Sequence, residues 1–219
     1  PDASSVENKI YSTYTSSKTQ ILTDIKNELL SPHARAMNDL PEDMKSYMNY
    51  IYSFLASEET GIIKRDKIDT SSEEYLSWKE GTISLRDYIY SGISGNWIDT
   101  TKLDSENKYS NADDSFAQLV DYICVHLEED GKFTKRMFRY LINNEVIRGS
   151  ELCLALFDQG VLEPDPGAQA ALAGGDSVYA YSFIKKKISN LELTPAQLAL
   201  DPCTAGAVVT DVRTGEVLA

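Results

Sequence analysis

Apolar residues at helical spacing constrain this chain more than any other feature. Met44, Tyr47, Met48, Ile51, Tyr52 and Leu55 recur at intervals of three and four, which puts them on one side of a helix. Phe116, Leu119, Val120, Ile123, Cys124 and Leu127 repeat the pattern, and Ile21, Leu22, Ile25 and Leu29 form a third stripe ended by Ser31-Pro32. Ser71-Ser72-Glu73-Glu74 reads as a capping box ahead of a short helical turn over 75–79, closed by Gly81. Further helices are expected near 84–94, 134–143, 150–158 and 177–189, punctuated by Gly95, Gly149, Gly160 and Gly174-Gly175. Stripes of this kind are stable only when buried against one another. The expected fold is therefore mainly α, a multi-helix, bundle-like domain over 1–200.

Three units share a loose form: a Gly, a Ser soon after, an apolar helix, then an apolar pair. They run from Gly81 to Trp97-Ile98, from Gly149 to Val161-Leu162, and from Gly175 to Leu191. Their lengths differ and no strict period holds, so they read as capped helices in one bundle rather than a solenoid.

The tail changes character. Ala205-Gly206-Ala207-Val208-Val209-Thr210-Asp211 is β-branched and short in period, and Glu216-Val217-Leu218-Ala219 reads as a second strand. Val212-Arg213-Thr214-Gly215 lies between them, with a Gly suited to the positive φ of a hairpin turn. Thr194-Pro195 is expected to start a short helix just before it. A short C-terminal β-hairpin is thus expected, with 201–219 the truncated start of a second domain. The Pro at position 1 and the apolar run at the end suggest a piece of a longer protein.

Charge narrows the partners. The 34 acidic side chains outnumber 21 basic ones, giving a formal charge of −13, which argues against nucleic acid. No apolar run approaches the roughly 18–20 residues of a membrane span. Cys124, Cys153 and Cys203 are too far apart for a Cys-x-x-Cys pair and are expected to be unpaired thiols, most of them buried.

The tail closely resembles the first hairpin of the transpeptidase domain in class B penicillin-binding proteins. That family shows a Gly-Ala-Val-Val-x-x-Asp strand, a Lys/Arg-Thr-Gly turn and a Glu-Val-Leu-Ala strand; here an additional Ala205 precedes the glycine. Asp39-Leu40-Pro41-Glu42-Asp43-Met44, Gly81-Thr82-Ile83-Ser84-Leu85, Trp97-Ile98-Asp99 and Gly149-Ser150-Glu151-Leu152-Cys153-Leu154 look like a long helical segment that some members carry before this hairpin. The resemblance implies a membrane-anchored parent that cross-links peptidoglycan on the outer side of the bacterial cell membrane. It implies that residues 1–200 are a non-catalytic insertion that positions the transpeptidase domain or binds other cell-wall synthesis proteins, with peptidoglycan itself a possible contact.

Such an enzyme needs Ser-x-x-Lys, Ser-x-Asn and Lys-Thr-Gly in that order. Ser105-Glu106-Asn107-Lys108 and Ser182-Phe183-Ile184-Lys185 imitate the first, Ser94-Gly95-Asn96 the second, and Arg213-Thr214-Gly215 the third. The order fails, because the Ser-x-Asn string precedes both Ser-x-x-Lys strings. By the resemblance, the nucleophile lies beyond Ala219. No catalytic, cofactor or metal site is expected within the 219 residues.

Other chemistry is weaker still. His33 and His126 stand apart without paired carboxylates. Glu128-Glu129-Asp130-Gly131 lacks the terminal acids of an EF-hand, since the register that places Gly131 sixth puts His126 first and Met137 last. Glu58-Glu59 and Asp113-Asp114 read as helix starts or solvated faces, and Lys185-Lys186-Lys187 as cations near a helix C-terminus. The 13 Tyr divide between stripe positions such as Tyr47 and Tyr122 and candidates for an exposed surface, Tyr11, Tyr75, Tyr90 and Tyr109. Exposed rings of this kind contact sugars or proteins. They sustain an alternative, a free-standing helical protein-interaction or glycan-binding module.

Overall fold

The computed structural model describes residues 5–103 and 111–194. Among them the fold is 70% helical, with nine α-helices and no sheet. The expected hairpin over 205–219, the helix expected from Thr194-Pro195 and the boundary near 200 lie outside the described residues.

The helices are α1 Val6–Leu30, α2 Glu42–Leu55, α3 Glu73–Glu80, α4 Leu85–Ser94, α5 Ala112–Glu129, α6 Gly131–Asn143, α7 Gly149–Asp158, α8 Pro166–Ala173 and α9 Ser177–Ser189. Seven start on a side-chain cap. Ser5, Ser72, Ser84, Asn111, Asp130, Asp165 and Asp176 each accept a bond from a backbone N–H of the first turn. Each such cap contributes about 1 kcal/mol. The expected capping box of α3 forms only in half. Its cap is Ser72, so Tyr75 occupies the position from which a Glu would return the bond. Sequence periodicity gave no sign of α8, whose Pro166-Gly167-Ala168-Gln169-Ala170 opening carries no apolar stripe; the Asp165 cap and Pro166 at the first position start it instead.

Four helices close in the same way. After α4, α6, α7 and α9 one residue turns left-handed: Asn96 (φ 57°), Glu145 (φ 56°), Gly160 (φ 67°) and Leu191 (φ 59°). Two residues further on, Ile98, Ile147, Leu162 and Leu193 donate their N–H groups back to the carbonyls of Gly92, Leu141, Leu156 and Lys187 at 3.0, 3.1, 3.1 and 3.3 Å. All four of those side chains are buried. This is the physical content of the recurring apolar pair: a Schellman-type closure that satisfies the last carbonyls and drops one apolar side chain into the core. Gly95, the expected stop of α4, has an ordinary φ of −82°, and its neighbour Asn96 makes the turn.

The chain divides into two compact units, Tyr11–Ile147 and Pro1–Ile10 with Arg148–Ala219. In the larger, α2 packs on α6, α4 on α5, and α3 on α4. The stripes behave as expected: Tyr47, Met48, Ile51 and Leu55 of α2 and Phe116, Leu119, Val120, Ile123 and Leu127 of α5 are buried. Met44, Tyr52 and Cys124 lie at the stripe edges and are half-buried. Ile63 and Ile98 form an isolated antiparallel bridge that ties the loop after α2 to the loop after α4.

In the smaller unit α7 packs against α8 and α9 around Cys153, Leu162, Leu172, Ala180, Phe183 and Leu193. Cys124 and Cys153 are free thiols, and burial pushes the Cys153 thiol up to about 11, which makes it inert. Cys203 lies outside the described residues. Among those residues no helix is long and apolar enough to cross a membrane.

Candidate functional site

A concavity in the larger unit lies where α2, α3 and a short 3-10 turn at Met37–Asp39 converge. On α2 the inward stripe leaves Lys45, Asn49, Tyr52 and Ser53 along one outer edge, spaced four, three and one apart. Tyr75, Trp78 and Lys79 of α3 face that edge across a groove of about 460 Å³.

The third wall is held by three bonds. Met37 N donates to Ile83 O at 3.2 Å, Asn38 N to Gly81 O at 2.9 Å, and Asn38 Nδ2 to Glu80 O at 2.8 Å. Gly81 is required twice over. Its φ is +76°, and a Cβ there would fall 2.5 Å from Asn38 Oδ1.

The aromatic wall is braced from behind. Trp78 stacks parallel on Tyr88, with ring centroids 5.0 Å apart, and Tyr88 is itself buried. Tyr52 tilts against Trp78 at 5.0 Å, and Tyr88 continues to Trp97 at the same distance. Burial pushes the Tyr52 hydroxyl above its ordinary pKa, so it stays neutral at physiological pH. The groove's own charges are Lys45 and Lys79 against Glu80.

A second cleft of about 450 Å³ lies between α1 and the start of α2, lined by Asp24, Glu28, Arg35 and Asp43. Its one cation is committed. Arg35 grips Glu28 through Nε at 3.1 Å and Nη2 at 2.7 Å, while its backbone N–H donates to Oε1 at 2.6 Å. Burial opposes ionisation of Glu28, but these bonds win and hold its pKa below the ordinary value. This clamp fixes the Ser31-Pro32 turn that ends α1.

In the smaller unit Glu151 is the most strongly perturbed carboxylate. Burial alone would raise its pKa; bonds from Lys9 Nζ at 2.7 Å, Arg148 N at 3.1 Å and Arg148 Nη2 at 3.1 Å hold it at about 2. The folded value lies below the ordinary 4.5, so this stabilisation is complete above pH 4.5 and is lost as pH falls toward 2. Glu151→Gln is therefore expected to lower the melting temperature at neutral pH, with the gap from the unaltered protein closing between pH 4.5 and 2. Thermal melts of both proteins across that range check it; a gap independent of pH would refute it.

The strings that imitate a transpeptidase motif occupy unrelated places. Ser182 and Lys185 are exposed on α9 in the smaller unit, with buried Phe183 between them. Ser94-Gly95-Asn96 is the closing turn of α4 in the larger unit. Ser105–108 and Arg213-Thr214-Gly215 lie outside the described residues.

His126 stacks on Phe54 with ring centroids 3.6 Å apart and lies 3.6 Å from Asp130, which also accepts the Tyr50 hydroxyl. Among the described residues no three His, Cys, Asp or Glu side chains gather as a metal site. Asp113 and Asp114 sit in the first turn of α5, and Lys186 and Lys187 in the last turn of α9, as the helix dipole favours.

Of the surface tyrosines, Tyr75 lines the groove, Tyr11 is 67% exposed, and Tyr90 donates to Asp113 at 2.7 Å. Tyr109 lies outside the described residues. Sequence reasoning missed Trp78, Lys45 and Asn49. The signal available was their spacing beside the α2 stripe, but that spacing could not say which helix would face it. Comparison with protein-family models, with curated proteins and with solved structures returns no match.

Proposed function

We propose that this chain is the non-catalytic helical region of a class B penicillin-binding protein, serving peptidoglycan synthesis outside the cytoplasmic membrane. The observation that carries the reading is the string from Gly206 to Ala219, which resembles the family's first transpeptidase hairpin in the order of its strand, Arg-Thr-Gly turn and Glu-Val-Leu-Ala strand, with one residue rather than two between Val209 and Asp211. The helical fold over the described residues suits a spacer that positions a catalytic domain or engages other cell-wall synthesis proteins. In this reading the serine nucleophile belongs to the parent protein. A fluorescent penicillin should leave the 219-residue chain unlabelled and should label the parent at a serine beyond Ala219. Labelling of this chain, at Ser182 for example, would overturn the proposal.

One observation favours a second reading, a free-standing helical interaction module. Val178, Tyr181 and Leu191 are 74%, 67% and 86% exposed along and just after α9, apolar side chains left open to a partner. That reading predicts that a chain ending at Leu200 folds as well as the full one; unfolding of the shortened chain would count against it.

A further inference from the structure

We propose that the groove between α2 and α3 binds a neutral glycan, seating sugar rings against Tyr52, Tyr75 and Trp78. The inference stands on the groove alone and holds whether or not the transpeptidase reading does.

Three half-buried aromatic side chains line one concavity, and each common guest of aromatic surfaces meets a different electrostatic environment there. A cationic guest would sit beside Lys45 and Lys79, with only Glu80 to offset them. An anionic guest would meet Lys45 and Lys79 in the groove but approaches a chain of formal charge −13, so the local and the long-range contributions oppose each other. A neutral guest with apolar faces and polar edges meets neither penalty. Sugar rings have that form, with C–H faces and equatorial hydroxyls.

The polar rim matches those hydroxyls. Asn49 carries both a donor and an acceptor, the two lysines donate, and Glu80 accepts. A hydroxyl can serve all of these because it both donates and accepts. A proline-rich peptide, another ligand that aromatic grooves take, presents carbonyls but no ring N–H groups, so it brings Glu80 and the Asn49 side-chain carbonyl no direct donor.

The groove is also preformed. Tyr88 braces Trp78 from behind, and three hydrogen bonds pin the Met37–Asp39 turn, so little ordering opposes binding. Its volume of about 460 Å³ falls within the usual range for small-ligand sites.

The test is calorimetric and NMR titration of the full chain with chitohexaose, cellohexaose and a decaproline peptide. At least one oligosaccharide is expected to bind and to shift the Trp78 indole signal. Tyr75→Ala and exposed Asn49→Ala should each weaken binding about fivefold while leaving the circular dichroism spectrum unchanged, and Asn49→Ala should also leave the melting temperature unchanged. Trp78→Ala is not the decisive variant, because it also removes the contact with Tyr88. Absence of binding by both sugars at about millimolar concentration, binding equally strong in the Tyr75→Ala and Asn49→Ala variants, or binding of decaproline alone would each overturn the proposal.

Discussion

Phe133→Ala is expected to destabilise the larger unit by about 4 kcal/mol, the middle of the range for removing a fully buried aromatic ring. Phe133 is 0% exposed and sits on α6 where that helix meets α2. Its ring meets Tyr47 edge-on at 5.4 Å and lies 6.2 Å from Tyr50, so truncation removes two ring contacts as well as the transfer energy. Both neighbours are held elsewhere, Tyr47 against Tyr140 and Tyr50 by Asp130, which limits collapse into the space left behind. Urea denaturation of the two proteins reads the loss directly, as a fall in midpoint at similar slope. Phe138 supplies the comparison. It is half-buried and stacks on Tyr14 at 4.7 Å, so Phe138→Ala should cost less than half as much. Equal losses at the two positions would refute the placement of Phe133.

Gly92→Ala reverses the usual sign of a helical glycine substitution. In an open helix the change gains about 1 kcal/mol, because alanine restricts the unfolded chain and favours the helix. At Gly92 an added Cβ would lie 2.6 Å from Cη2 and Cζ2 of Trp97 and 2.7 Å from Cγ1 of Ile98. Neither neighbour has room to retreat. Trp97 and Ile98 are buried, Trp97 packs on Tyr88, and both backbone N–H groups are bonded to the Gly92 carbonyl at 3.0 Å. Overpacking of this kind costs about 3 kcal/mol, so the net expectation is a loss of about 2 kcal/mol. Gly131→Ala is the control. Nothing lies within 4 Å of its Cβ position, and that variant should be neutral or slightly more stable. A stabilising Gly92→Ala, measured by thermal melting, would show that the closing turn of α4 does not pack as described.

Much of the helical framework was legible in the sequence because amphipathic stripes and side-chain caps are local properties. The stripes of α2 and α5 and the end of α1 at Ser31-Pro32 were all readable from residues a few positions apart. α8 was not, since its helix is set by an Asp165 cap and a first-position Pro rather than by a stripe. Asn96, Glu145 and Leu191 were not recognised as left-handed turn residues either, because none is the glycine that usually marks such a turn. What selects them is burial of Ile98, Ile147 and Leu193 two residues later, which lies in the tertiary packing.

The candidate site divides along the same line. Tyr75 could be named as a surface ring, but Tyr52 read as a core residue and Trp78 as part of a short capped turn. Composition and periodicity alone determined that this chain is acidic, mainly helical and built from amphipathic stripes that must be buried. Those properties depend on residue types and on spacings within one turn or two. Only the tertiary structure decided that the edge of α2 faces α3, that Tyr88 braces Trp78, and that Gly92 must lack a side chain. Each of these depends on contact between segments far apart in the chain, and helical periodicity says which face is buried without saying what it is buried against.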